Sequence, residues 1–341
     1  MGVRVSTAPL AIAVANCGCG GTIASVGLGS KAGEAEENYI RSSREGLERE
    51  IREARSRTNG VIGINILAVL TNFEDLARTG VRENVDYIIS GAGLPLRLPE
   101  FAEGSSVKLI PVVSSSRVAR IIIKSWEKRY NRIPDAIIVE GPLAGGHLGF
   151  SLDEVMEKRK DSLEYIVSDV LEVVHECEGR RKVAIPVIAA GGIFDGSDIA
   201  RFLKLGVQGV QIGTRFVATD ECAVPPSFKQ KYIDARDEDL VLIQSPVGLP
   251  GRAIHTRFID KLMQGKSEEI ACNYQCLKTC DVKTAPYCIA KALLNAVDEN
   301  LIEDSVIFAG RNVSRIKEIV SVKELIDSLV RETIICLKKA A

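Results

Sequence analysis

Three glycine-rich turns, each closing an apolar run, carry the residue types best suited to chemistry. Gly141-Pro142-Leu143-Ala144-Gly145-Gly146-His147-Leu148-Gly149 follows the run Ala136–Glu140. Gly191-Gly192 follows Pro186–Ala190, and Gly213-Thr214-Arg215 closes Gly209–Gly213. Glycine lets backbone N–H groups approach a ligand closely. One such turn needs no ligand to explain it, because glycine also serves tight turns. Three of them on strand ends favour a phosphate-bearing cofactor. His147 is the candidate catalytic residue. A histidine after a glycine-rich turn can act as general base, or hydrogen-bond negative charge developing on a substrate oxygen. From an ordinary pKa of about 6.5, a modest shift allows either role near neutral pH. His175, inside a long helical stretch, and His255, in an irregular segment, read as structural.

Cysteine supplies a second candidate. Cys272, Cys276 and Cys280 recur at every fourth position, and Cys288 follows. On a helix the first three share one face, and four thiolates could hold an iron–sulfur cluster or zinc. The spacing C-x3-C-x3-C-x7-C nevertheless matches no well-attested ligand motif. The alternative is a segment packed with small apolar thiols. Cys17, Cys19, Cys177, Cys222 and Cys336 carry no assigned role.

A repeat of strand and helix positions these groups. Strand-like runs are Gly21–Val26, Val61–Leu67, Val85–Ser90, Lys108–Val113, Ala136–Glu140, Pro186–Ala190 and Gly209–Gly213. They are continuously apolar rather than alternating, as strands buried on both faces of a parallel sheet are. Helical periodicity fills the intervals at Ala8–Ala15, Glu45–Arg57, Arg117–Tyr130, about Leu152–Glu178 and Ser197–Leu205. Repeated βα units mean a doubly wound sheet or a (β/α)8 barrel. Seven strands are one short of a closed barrel. Either Val3–Ser6 is a stub of the first strand, or the chain as given begins inside the first βα loop, which is the favoured reading. After Gly213 the rhythm changes. The expected organisation is a barrel over 1–220, a cap with the cysteines over 221–310, and a closing helix, Val320–Lys339, within 311–341.

Composition narrows the function classes. Of 341 residues 46% are apolar, ample for a large core and against disorder. Lys and Arg number 44 against 45 Asp and Glu, net −1, which gives no footprint for nucleic acid or an anionic membrane. The nine cysteines fit an intracellular, cytoplasmic protein better than a disulfide scaffold. The uncharged stretch Val5–Ser30 resembles a signal peptide or membrane span, but its glycines, Pro9 and Asn16 point to a buried helix, a turn and a buried strand. The expected partner is a small-molecule substrate, and a homo-oligomer is left open.

Together, Ala144-Gly145-Gly146-His147, Ile188-Ala189-Ala190-Gly191-Gly192-Ile193 and Gln211-Ile212-Gly213-Thr214-Arg215-Phe216 resemble the nitronate monooxygenase (2-nitropropane dioxygenase-like) family. That family also includes FMN-dependent enoyl-acyl-carrier-protein reductases. The resemblance covers about residues 1–260 and implies a TIM barrel, in the α/β class, that binds FMN. It implies cofactor contacts at Met1, Gly2, Asn65, Glu140, Gly145, Gly146, Gly191, Gly192, Gln211, Ile212, Gly213 and Thr214. The family's first strand normally ends in a Met-Gly step against the flavin, and here that step is Met1-Gly2. The implied activity is oxidation of alkyl nitronates by O2. The alternative is NAD(P)H-driven reduction of an enoyl thioester. Glu140 stands where the monooxygenases tend to have Gln and the reductases Glu, and Pro142-Leu143 matches neither pattern. A cluster on the four cysteines would add an electron path to the flavin.

Overall fold

The computed structural model describes residues 2–29, 39–156, 162–266, 270, 272 and 275–339. All seven apolar runs form strands. They are β1 (Gly21–Ala24), β2 (Ile62–Leu67), β3 (Tyr87–Gly91), β4 (Lys108–Val113), β5 (Ile137–Glu140), β7 (Val187–Ala190) and β8 (Gly209–Gln211). They pair in parallel in the order β1-β2-β3-β4-β5-β7-β8, giving a curled seven-stranded sheet. Among the described residues no pairing joins β1 to β8. A smaller sheet runs β11-β10-β6 with β9 on β10, built from β6 (Gly146–His147), β9 (Leu240–Gln244), β10 (Pro250–Ile254) and β11 (Ile307–Phe308).

Helix α1 (Ala8–Asn16) precedes β1, and α2 (Tyr39–Arg57), α3 (Phe73–Arg82), α4 (Leu98–Phe101), α5 (Ser116–Tyr130), α6 (Leu152–Met156), α7 (Leu163–Arg181) and α8 (Gly196–Lys204) lie between the strands. After them come α9 (Thr214–Val217), α10 (Pro226–Asp234), α11 (Arg257–Met263), α12 (Ile289–Asn295) and α13 (Val322–Lys338). The single helix expected over Leu152–Glu178 is thus α6 and α7, with 157–161 outside the described residues. Strand β2 shows why the runs are apolar: Ile62, Ile64 and Ile66 are fully buried under the helices. The other strand face turns to the barrel interior, where Ile89, Ile138 and Ala190 cluster. Helix α13 closes the chain as its periodicity predicts. It buries Val322, Leu325, Ile326 and Leu329 and packs on α8 and α1.

The uncharged N-terminal stretch forms α1, a turn and β1, and no helix among the described residues is long and apolar enough to cross a membrane. Val3–Ser6 is not a strand stub. The Val5 and Ser6 N–H groups both donate to Gly2 O, a turn in which Arg4 adopts φ 54°. The expected cap region contains β9, β10 and β11. These strands pair antiparallel, so they make no further βα repeat.

Candidate functional site

Strand register assembles the site. Glu140 pairs with Ala190 and Ala190 with Gln211, so the turns starting at Gly141, Gly191 and Ile212 leave the sheet at one level. Asn65, level with Ala24 and Ile89, lies two residues before the end of β2, near the same rim. Two cavities open there. One, of about 680 Å3, lies within the barrel and is lined by Gly2, Gly191, Gly192 and Gln211 through Thr214. The other, of about 730 Å3, lies beyond it against His147, Gly146, Cys276 and Leu277. Asn65, Glu140 and Gly145 line both. The resemblance-implied residues therefore converge, except Met1, which lies outside the described residues.

His147 belongs to the smaller sheet. It sits opposite Gly251 in the β6–β10 ladder, and Gly146 sits opposite Arg252. Its Nε2 lies 2.8 Å from Ser245 Oγ, and its ring meets Phe308 edge-on at 4.9 Å. Burial drives its pKa down to about 4, so the imidazole is neutral at physiological pH. Burial acts oppositely on Glu140, raising its carboxyl to about 7. The usual order of a histidine and a glutamate is inverted, which makes Glu140 an acid–base candidate besides a cofactor contact.

Arg252, buried within β10, donates from Nη1 to Pro142 O at 2.6 Å and Ala144 O at 2.7 Å, pinning the glycine-rich loop. Its burial lowers the guanidinium to about 10. Sequence reasoning missed Arg252, Ser245 and Phe308. A charged residue inside the apolar stretch Pro250–Ile254 was the available signal.

The glycines divide into two kinds. At Gly145 a Cβ would collide with the Ala309 and Gly310 backbone, so packing alone demands glycine there. Gly191 and Gly192 have φ of 92° and 84°, which favours glycine whatever is bound. At Gly213 a Cβ would meet nothing within 4 Å. The N–H groups of Gly192, Ile193 and Gly213 find no acceptor among the described residues. The helix N-terminus beyond Gly192 is not open to a phosphate, however. Asp195 caps α8 by accepting from the Ser197 and Asp198 N–H groups at 3.0 and 3.1 Å. Free backbone donors, the Asn65 and Gln211 amides and apolar walls at Ile138, Ile188 and Val210 fit a flavin mononucleotide.

The cysteines do not share a helical face. Leu277 bridges to Leu70, the Cys276 carbonyl accepts from Thr71 N at 3.1 Å, and Lys278 N donates to Val69 O at 2.9 Å. Burial, reinforced by Cys288, Cys272 and Cys280, pushes the Cys276 thiol up to about 12. Cys276 and Cys280 pack against the main core, as small apolar thiols do. Among the described residues no group of three or more His, Cys, Asp or Glu side chains is arranged to hold a metal ion.

Comparisons with known proteins point the same way. The model of the family described as nitronate monooxygenase matches residues 1–332. The (3aS,4S,5R,7aS)-5-hydroxy-7a-methyl-1-oxo-octahydro-1H-indene-4-carboxyl-CoA dehydrogenase of Mycobacterium tuberculosis (strain ATCC 25618 / H37Rv) is 29% identical over 215 residues, 63% of this chain and 54% of that protein. A probable nitronate monooxygenase of Bacillus subtilis (strain 168) is 28% identical over 200 residues, 59% and 52% respectively. The chain thus spans about half the length of these curated relatives. FabK from Thermotoga maritima superposes with a TM-score of 0.75 at 29% identity, covering 98% of this chain and 91% of FabK. Nitroalkane oxidase from Streptomyces ansochromogenes shares the fold, with a TM-score of 0.75 at 20% identity over 100% and 96%.

Proposed function

Because the chain belongs to the nitronate monooxygenase family, whose members are oxidoreductases and generally flavin-dependent, we propose that it is an FMN-dependent enzyme interconverting an enoyl thioester and its saturated acyl thioester. The observation that carries this reading is the cavity beyond His147. Its volume of about 730 Å3 falls in the range of about 300–1,000 Å3 that takes drug-sized ligands. An alkyl nitronate of a few heavy atoms would leave most of it to water. The carboxyl-CoA dehydrogenase and FabK likenesses, and glutamate at position 140, agree with a thioester.

Gly192, Ile193, Gly213 and Thr214 would hold the FMN phosphate, and Asn65, Gln211 and Glu140 would contact the rest. Bound there, FMN supplies the two-electron chemistry, accepting or returning hydride at the substrate β-carbon. His147, held by β6 on the wall of the 730 Å3 cavity, moves the proton at the α-carbon. Arg252 keeps the loop carrying it closed against β10. The apolar wall formed by Leu277, Ile289 and Leu293 excludes water from the acyl chain. In the reducing direction a nicotinamide is the electron source. All nine cysteines are free, in keeping with a reducing, cytoplasmic compartment.

Oxidation of alkyl nitronates by O2 is the second reading, favoured by the family model and by His147 on the wall of the 730 Å3 cavity. Chain length separates the two. Activity on acyl and enoyl thioesters should rise with acyl length until the cavity is filled. Turnover confined to small nitronates would overturn the thioester reading.

A further inference from the structure

We infer that Gly310 and Asn312 are positioning residues of the phosphate cradle: they leave the hydrogens of Thr214 Oγ1 and Ile193 N free for an anion, and so make the site select a phosphorylated flavin over an unphosphorylated one. This rests on the FMN reading above and deepens it by naming what gives the cradle its preference.

Neutral donors need such help. A hydroxyl or a peptide can present an oxygen as readily as a hydrogen, and only the hydrogen binds an anion. Arg215 and Arg311, which line the barrel cavity, are engaged elsewhere. Arg311 pairs with Asp237 at 3.0 Å. Arg215 donates to Phe194 O at 2.6 Å, and its guanidinium lies over the Phe194 ring at 4.4 Å. Selection of a phosphate therefore falls to the uncharged groups of the turns.

One short segment after β11 meets all three turns. Arg311 N donates to Leu143 O at 3.0 Å on the first, and Asn312 Nδ2 to Gly192 O at 2.7 Å on the second. Gly310 N donates to Thr214 Oγ1 at 2.9 Å on the third. Two of these bonds decide polarity. A backbone N–H can only donate, so the Thr214 oxygen accepts and its own hydrogen is left over, with no acceptor among the described residues. Gly192 O can only accept, so its bond to Asn312 fixes which way the Gly192–Ile193 peptide lies. The described residues hold no cis peptide, and across a trans bond the N–H points opposite to the C=O. Ile193 N–H is thereby turned away from Asn312, and it too has no acceptor among the described residues.

Asn312 stands at the N-cap of the turn Val313–Arg315, where an asparagine side chain ordinarily accepts from the N–H groups that follow. It makes no such cap bond, and its amide holds Gly192 instead. Gly310 is kept small by the same contacts, since a Cβ there would lie 3.0 Å from Thr214 Oγ1 and 3.3 Å from Leu143 O.

The test compares two ligands that differ only in the phosphate. Flavin-free protein is titrated with FMN and with riboflavin, following flavin fluorescence, and wild type should bind FMN the more tightly. Asn312→Leu keeps the size of the side chain but removes the donor. It should weaken FMN binding about ten- to a hundredfold, the loss of one bond toward a charged group. Riboflavin affinity should be unchanged, which also reports that the cavity is intact. Thr214→Val should give the same split, and Thr214→Ser should retain FMN binding. Equal weakening of both ligands would make Asn312 merely structural, and unchanged FMN affinity would leave it no part in the cradle; either overturns the inference. So would a wild type that binds both flavins alike. A wild type that binds neither would sink the FMN reading and the inference with it.

Discussion

The two sheets differ in how far apart along the chain their partners lie, and in what each contributes. In the seven-stranded sheet every strand pairs with the next one of that sheet in sequence, across one helical crossover. In the smaller sheet β10 joins β6, more than a hundred residues earlier, to β11, more than fifty residues later. The large sheet supplies walls and backbone donors, a place where a cofactor can lie. The small sheet supplies orientation: it holds His147, presents Ser245, and through Arg252 ties down the glycine-rich loop. A binding surface can thus be built from local units, while the aim of one side chain needs contacts closed over long loops.

Removing the aimed group should have the largest effect. His147→Ala is expected to lower turnover about 10²- to 10⁴-fold, as loss of a general acid–base group does. Flavin should stay bound, because the cradle belongs to the large sheet. Loss of flavin together with turnover would blur the division between the sheets.

Arg252→Met tests the strut between them. It removes charge-assisted bonds to two carbonyls and leaves those carbonyls unpaired, at a cost of about 3 kcal/mol in urea unfolding. A change below about 1 kcal/mol would mean that the loop does not depend on β10.

Two alanines sharpen the contrast further. Gly145→Ala collides with backbone and should destabilise by about 1–3 kcal/mol. Gly213→Ala meets open space, so it should leave stability nearly unchanged and weaken FMN binding instead, measurable by fluorescence titration. Equal effects on stability would contradict the assignment of one glycine to packing and the other to the cradle.

The smallest expected effect is electrostatic. Folded Glu140, with a pKa of about 7 against an ordinary 4.5, keeps a proton that the unfolded chain has lost. Its contribution is therefore full below pH 4.5, falls as pH rises to 7, and is constant above. His147, lowered from 6.5 to about 4, acts oppositely and loses stability as pH falls through that window. Comparing Glu140→Gln with wild type cancels the histidine. The variant should gain relative stability of about 1–2 kcal/mol between pH 4.5 and 7, after discounting for access to water. A flat difference would place Glu140 in a wetter site.

The same contrast explains what the sequence made legible. Continuous apolar runs marked all seven parallel strands, since burial on both faces leaves no choice of residue. Glycine turns marked the rim, and His147 stood out after one of them. Ser245 and Arg252 did not, because their roles depend on partners such as His147 and Pro142 O that only antiparallel pairing and folding bring near. The cysteine spacing promised a helix face, but Cys276 and Leu277 run along the Val69–Thr71 loop instead. A period of four in a short segment without a helix start signal is weak evidence for a helix.

The most direct test is an anaerobic visible spectrum of the purified, FMN-loaded protein with one candidate substrate at a time. A long-chain acyl thioester should bleach the flavin bands, and an enoyl thioester should restore the colour after reduction by a nicotinamide. A small nitronate should do far less. Bleaching by nitronate but by no thioester would contradict the account, as would a protein that takes up no flavin.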